Sequence, residues 1–105
     1  MESENPSTRR FREYLRIKTV HPDPNYDKAL NFLAELANEI GLPWKTVLTN
    51  SNPRREVGIL TWEGTKPYLP SIMLNSHMDV VTVSADEWKY DPFLAHKDET
   101  GVIFA

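Results

Sequence analysis

The chain has 105 residues, enough for one small domain and not for two. A net charge of −3 gives no basic surface for nucleic acid, and the absence of cysteine excludes disulfides and thiolate metal sites. The 40 % hydrophobic and 26 % charged residues describe a globular chain, with no signal-peptide core and no run long enough to span a bilayer, so a soluble intracellular protein is expected.

The first five residues, "MESEN", are polar and expected to be loose. A helix follows, with Ser7 as the expected N-cap, because its hydroxyl can accept from an unpaired amide of the first turn. Phe11, Tyr14, Leu15 and the stem of Lys18 share one face, and Arg9, Arg12 and Arg16 lie along another, which is expected to be solvated. "TVHPDPNYD" breaks the pattern, since each proline pushes the preceding residue out of the helical region. Asp23 with Pro24 is the expected start of a second helix. Its stripe is Tyr26, Ala29, Leu30, Leu33, Leu36, Ala37 and Ile40, long and apolar enough to cover a sheet. Gly41 supplies a left-handed stop and Pro43 prevents continuation.

From Trp44 the period shifts to that of strands. "WKTVLT" alternates, "NSNPR" turns, and "EVGILTWEG" is a second strand. After the loop "TKPYLP", Ser71 to Ser76 carries the continuous apolar run Ile72-Met73-Leu74, which suits a strand covered on both faces. "SADEWKYDPF" reads as a loop. "FLAHKDETGVIFA" reads as a hairpin that turns at Asp98 to Gly101 and returns through Val102 to Phe104. The order helix, helix, strand, strand, strand, hairpin predicts an α/β fold, with two amino-terminal helices packed on a mixed sheet.

His77 and Asp79 follow the apolar run. Functional groups of open α/β sheets gather at the carboxyl ends of strands, and residues i and i+2 of an extended segment point to one side. An imidazole there can bind zinc through one nitrogen, while a carboxylate accepts from the other and fixes the tautomer. On the motif alone a simpler reading carries more weight, in which Asp79 pairs with a protonated His77 or each binds water. A zinc ion needs three or four protein ligands, and no spacing in the chain supplies the others. His21 in the proline-rich turn reads as solvated or turn-stabilising, and His96 in the hairpin as a surface residue. Asp86, Glu87 and Asp91 can approach from their loop, but nothing requires it. No Gly-rich phosphate loop and no Gly-x-Ser-x-Gly elbow is present.

The blocks "FREYLRIKTVHPDPNY", "AELANEIGL", "LTWEGTKPYLPSIMLNSHMDVV" and "EWKYDPFLAHKDETGVIFA" match in order and spacing the amino-terminal part of the cytosolic aminoacylases. The chain therefore resembles the dinuclear zinc deacylase and exopeptidase family. The resemblance implies that His77 binds one of two zinc ions and that Asp79, counted with the catalytic residues, supports it. It implies hydrolysis of an N-acyl-L-amino acid to a carboxylate and a free L-amino acid. In that reaction a zinc-bridging water attacks the amide carbonyl, and a glutamate serves as general base and then protonates the leaving amine. It also implies a small-molecule substrate, a cytoplasmic homodimer, and no nucleic-acid or membrane partner.

Thr82 stands where relatives of this type often carry proline, outside the ligand set. The family's Arg-Gly-x-x-Asp segment, its glutamate base, its other ligands and its lid domain would all come after Ala105. Residues 1–105 are accordingly expected to be an incomplete piece of a catalytic domain that is inactive alone. The alternative expectation is a non-catalytic interaction module that pairs an exposed sheet edge with a partner.

Overall fold

The computed structural model describes residues 3–105. Met1 and Glu2 lie outside the described residues, and so does that part of the expected loose start. Helices and strands both occur, as expected of an α/β chain and of an incomplete piece of a larger domain. The order is α1 (Pro6–Leu15), α2 (Asp27–Ile40), β1 (Trp44–Leu48), β2 (Glu56–Leu60), a 3-10 turn (Ala85–Glu87), β3 (His96–Lys97) and β4 (Ile103–Phe104). The strands form two separate antiparallel pairs, β1 with β2 and β3 with β4. The parallel component is an isolated bridge between Val20 and Val80. Two compact units result. One holds the chain up to Ala29 together with Met78–Ala105, and the other holds Leu30–His77.

In the first unit the cap of α1 lies two residues before the expected one. Asn5, not Ser7, caps it, with Asn5 Oδ1 accepting the Ser7 N–H at 2.8 Å. Pro6 takes the first helical position, where its missing N–H costs nothing and its fixed φ suits the helix. Glu4 is also tied down. Its carboxylate accepts from Arg12 Nη1 at 2.9 Å and from Lys97 Nζ at 3.0 Å, so the described end of the supposedly loose segment is anchored.

The basic face of α1 is not simply solvated. Arg12 Nε donates to the Ala95 carbonyl at 2.8 Å, and Arg16 Nε donates to the Leu94 carbonyl at 2.9 Å. These two arginines clasp a turn in which Ala95 is fully buried with φ +46°, a left-handed conformation that a non-glycine residue rarely adopts. The guanidinium donors satisfy carbonyls that the turn leaves without strand partners.

The hairpin forms as the sequence predicts. Asp98 Oδ1 accepts from the N–H groups of Thr100 and Val102 and from the Thr100 hydroxyl. Gly101 supplies the positive φ of +92° that closes the turn. His96, expected at the surface, is half-buried. Its ring stacks on Tyr90 at a centroid distance of 3.9 Å, and Phe104 meets Tyr90 edge-on at 5.0 Å. That small aromatic cluster gives two very short strands an apolar anchor they could not supply themselves.

Helix α2 begins at Asp27, four residues after the expected cap. Asn25 Oδ1 accepts the Asp27 N–H at 2.9 Å, so the asparagine turn, rather than Asp23 with Pro24, leads into the helix. Its end matches the expectation. Gly41 has φ +82°, its N–H reaches the Asn38 carbonyl, and the Leu42 N–H reaches the Ala37 carbonyl at 3.0 Å, a Schellman arrangement. Ala29, Leu30 and Ala37 of the expected stripe are buried, Leu33 and Leu36 are half-buried, and Ile40 is exposed.

In the second unit β1 and β2 pair from Trp44↔Leu60 to Leu48↔Glu56. The Thr61 N–H to Pro43 and the Thr49 N–H to Arg55 extend the ladder at each end. The Trp44 indole lies across Gly58, so closely that a Cβ at Gly58 would fall on its ring. The strand expected over Ser71 to Ser76 does not form. The stretch has no ladder partner among the described residues, and Ile72, Met73 and Leu74 are 90, 84 and 93 % exposed. A strand exists only through neighbours that take up its amides and carbonyls. The cover that such an apolar run requires on both faces is not supplied within residues 3–105.

Candidate functional site

Asp79 is placed by the segment 78–80, which lies beside residues 19–21 in the first unit. The Val80 N–H donates to the Thr19 carbonyl at 3.0 Å, and the His21 N–H donates to the Val80 carbonyl at 3.1 Å. The hydroxyl of buried Thr19 donates to the Met78 carbonyl. The three bonds bracket Asp79 and fix its backbone. Its side chain then meets His21, with Nε2 2.7 Å from Oδ2. Both side chains are close to half exposed.

His21 keeps its exposed place in the proline-rich turn, and it also reaches across the chain. It is a partner of Asp79, from 58 positions away in sequence. No spacing rule could have found this pair. The signal that bears on it is the β-branched pair Thr19-Val20, which suits an extended segment such as the one that runs beside Val80.

His77 closes the second unit and is exposed, and the Ser76 hydroxyl reaches its carbonyl at 3.4 Å. The other sequence candidates are occupied differently. His96 is stacked in the aromatic cluster. Asp91 Oδ1 accepts the Phe93 N–H at 2.8 Å and stabilises a turn. Asp86 and Glu87 lie in the 3-10 turn.

Among the described residues, no three His, Asp or Glu side chains converge as metal ligands would. Zinc takes three or four protein donors, so the residues present do not make a zinc site by themselves. What they can do is narrower. They present an imidazole in an exposed position, and a carboxylate held in place by a second imidazole.

The chain is 50 % identical over 104 residues to aminoacylase-1 of Mus musculus, 49 % identical over 104 residues to that of Homo sapiens, and 43 % identical over 101 residues to that of Dictyostelium discoideum. A fourth relative, a probable carboxypeptidase S-like 1 protein of Dictyostelium discoideum, is 32 % identical over 88 residues. The match to the mouse and human proteins takes in 99 % of this chain and 25 % of theirs. The chain thus corresponds to an amino-terminal part of such proteins and spans about a quarter of their length. No family model matches it. No helix among the described residues is long and apolar enough to cross a membrane.

Proposed function

We propose that this chain, a relative of aminoacylase-1 along nearly its whole length, supplies one wall of the active site of a zinc-dependent N-acyl-L-amino-acid hydrolase. The observation that carries the reading is the identity of about one half to aminoacylase-1 over 104 residues, a stretch that includes His77 and Asp79.

In this reading His77 donates one imidazole nitrogen to a zinc ion, and Asp79 is the carboxylate that supports the site. When bound, zinc supplies Lewis-acid polarisation of a carbonyl and a water acidic enough to lose its proton near neutral pH. This chain's own donors do not complete a zinc site, so the reading assigns the other ligands and the general base to residues beyond these 105. The net reaction is hydrolysis of an amide, in which water's hydroxyl goes to the acyl carbon and its proton to the leaving amine. The products are a carboxylate and a free L-amino acid. The chain alone is expected to be inactive, and the complete enzyme to be a cytoplasmic homodimer.

A chimera tests this reading. The present sequence replaces the matching quarter of mouse aminoacylase-1, and hydrolysis of an N-acyl-L-amino acid is measured. Retained activity supports the reading. A folded, zinc-loaded chimera without activity would refute it.

A second reading is a non-catalytic interaction module, and the exposed run Ile72-Met73-Leu74 favours it. Apolar patches of this kind mark surfaces that another polypeptide covers. Hydrolytic activity from the 105-residue chain alone would rule it out.

A further inference from the structure

We propose that His21 is a positioning residue, which holds the Asp79 carboxylate in one orientation. Its part in catalysis rests on the hydrolase reading above. Its hold on Asp79 does not.

The argument starts from the backbone. The bonds from Val80 to Thr19, from His21 to Val80 and from Thr19 to Met78 fix residues 19–21 against residues 78–80. With both backbones set, the two side chains leave from a fixed base, and the 2.7 Å contact between Nε2 and Oδ2 is at the short end for a hydrogen bond to a carboxylate. An aspartate side chain has several staggered rotamers, and a hydrogen bond from a fixed partner favours those that keep the contact. The His21 bond favours the one in which Oδ2 faces Nε2.

Energy is not the main contribution. Both groups are close to half exposed, and exposed pairs of this type add little to stability. Orientation is what the arrangement provides. A carboxylate that supports a catalytic centre works only when aimed, and the residues that aim it are held in turn by others. His21 does this from a different part of the chain. The parallel bridge is the device that brings it there.

The test reads the rotamer directly. Three-bond Hα–Hβ couplings of Asp79 are measured by NMR in the 105-residue chain. The wild type is expected to show the dispersed couplings of a single rotamer. His21→Ala should average them. His21→Gln should restore them, because its amide N–H reaches the place of Nε2. The amide shifts of Val20 and Val80 report the bridge in each variant. Unchanged couplings in His21→Ala would overturn the proposal. So would a His21→Gln variant no better than His21→Ala, or loss of the bridge in both, which would mark a merely structural residue.

In the chimera, His21→Ala should lower kcat by several-fold, less than the roughly 10- to 100-fold typical of losing a direct outer-shell partner, with KM little changed. His21→Gln should recover most of the loss. If Asp79→Ala leaves the chimera fully active while the couplings still respond to His21, the hydrolase role of Asp79 fails and the positioning of Asp79 by His21 stands.

Discussion

Gly58 and Trp44 show how a single atom decides local structure. The indole occupies the space that a Cβ at position 58 would need. Gly58→Ala should therefore push the ring off the hairpin and cost about 1–3 kcal/mol, in line with overpacking elsewhere. Urea denaturation reads the loss, and a shift of the Trp44 indole resonance reads the displacement. An alanine variant as stable as the wild type, with an unmoved indole, would contradict the geometry. At this scale much was open to reading from sequence. The left-handed stop at Gly41 and the turn at Asp98 to Gly101 follow from residue types with strong local preferences. The caps were less legible. Asn5 and Asn25 each compete with a nearby plausible capper, Ser7 and Asp23, and sequence alone does not rank them. The His21–Asp79 contact was beyond reach, because it depends on two distant segments lying side by side.

Short elements in this chain are held by charged side chains as much as by their own ladders. The two-residue strands β3 and β4 depend on the Asp98 turn, the Tyr90–His96–Phe104 cluster, and the tie from Lys97 through Glu4 to Arg12 on α1. Hydrogen bonds from Lys97 and then Arg12 hold the Glu4 carboxyl below the usual glutamate range. The Asp98 carboxyl is likewise lowered, first by the Thr100 hydroxyl and then by backbone N–H groups. A carboxylate with a depressed folded pKa contributes stability above its unfolded value and loses it as pH falls through the folded value. The hairpin and its tie to α1 should thus be insensitive to pH from neutrality down to the ordinary carboxylate range, and weaken progressively below it. Amide exchange of Lys97 and Ile103 against pH measures this. Glu4→Gln should remove part of the acid dependence, and an identical profile in that variant would contradict the tie. The sequence made the arginines of α1 visible but not their targets. A basic helix face reads as solvated until the carbonyls of Leu94 and Ala95 are known to lie opposite it.

The whole molecule is poor in buried core and rich in exposed apolar surface. Three side chains at Ile72, Met73 and Leu74 stand almost fully open, and full burial of such a trio is worth about 5 to 9 kcal/mol. That is comparable with the entire stability of many domains. The apolar run was legible as a strand meant for cover, and the class of fold was legible with it. The strand itself was not realised, because strand formation depends on neighbours that residues 3–105 do not provide. Leu74→Asp separates the two situations. In the 105-residue chain it should change unfolding stability by no more than about 0.5 kcal/mol, as exposed substitutions do. In the mouse chimera, where the remaining three quarters of the protein are present, it should strongly reduce the yield of folded protein. Equal tolerance in both would mean that the run stays exposed in the chimera as well. The central claim concerns His77. Zinc content and kcat/KM for an N-acyl-L-amino acid should be measured in the mouse aminoacylase-1 chimera that carries this sequence, with and without His77→Ala. The account predicts that His77→Ala lowers bound zinc and brings hydrolysis to background, while the fold is kept. A His77→Ala chimera with full zinc content and an unchanged kcat/KM would contradict it.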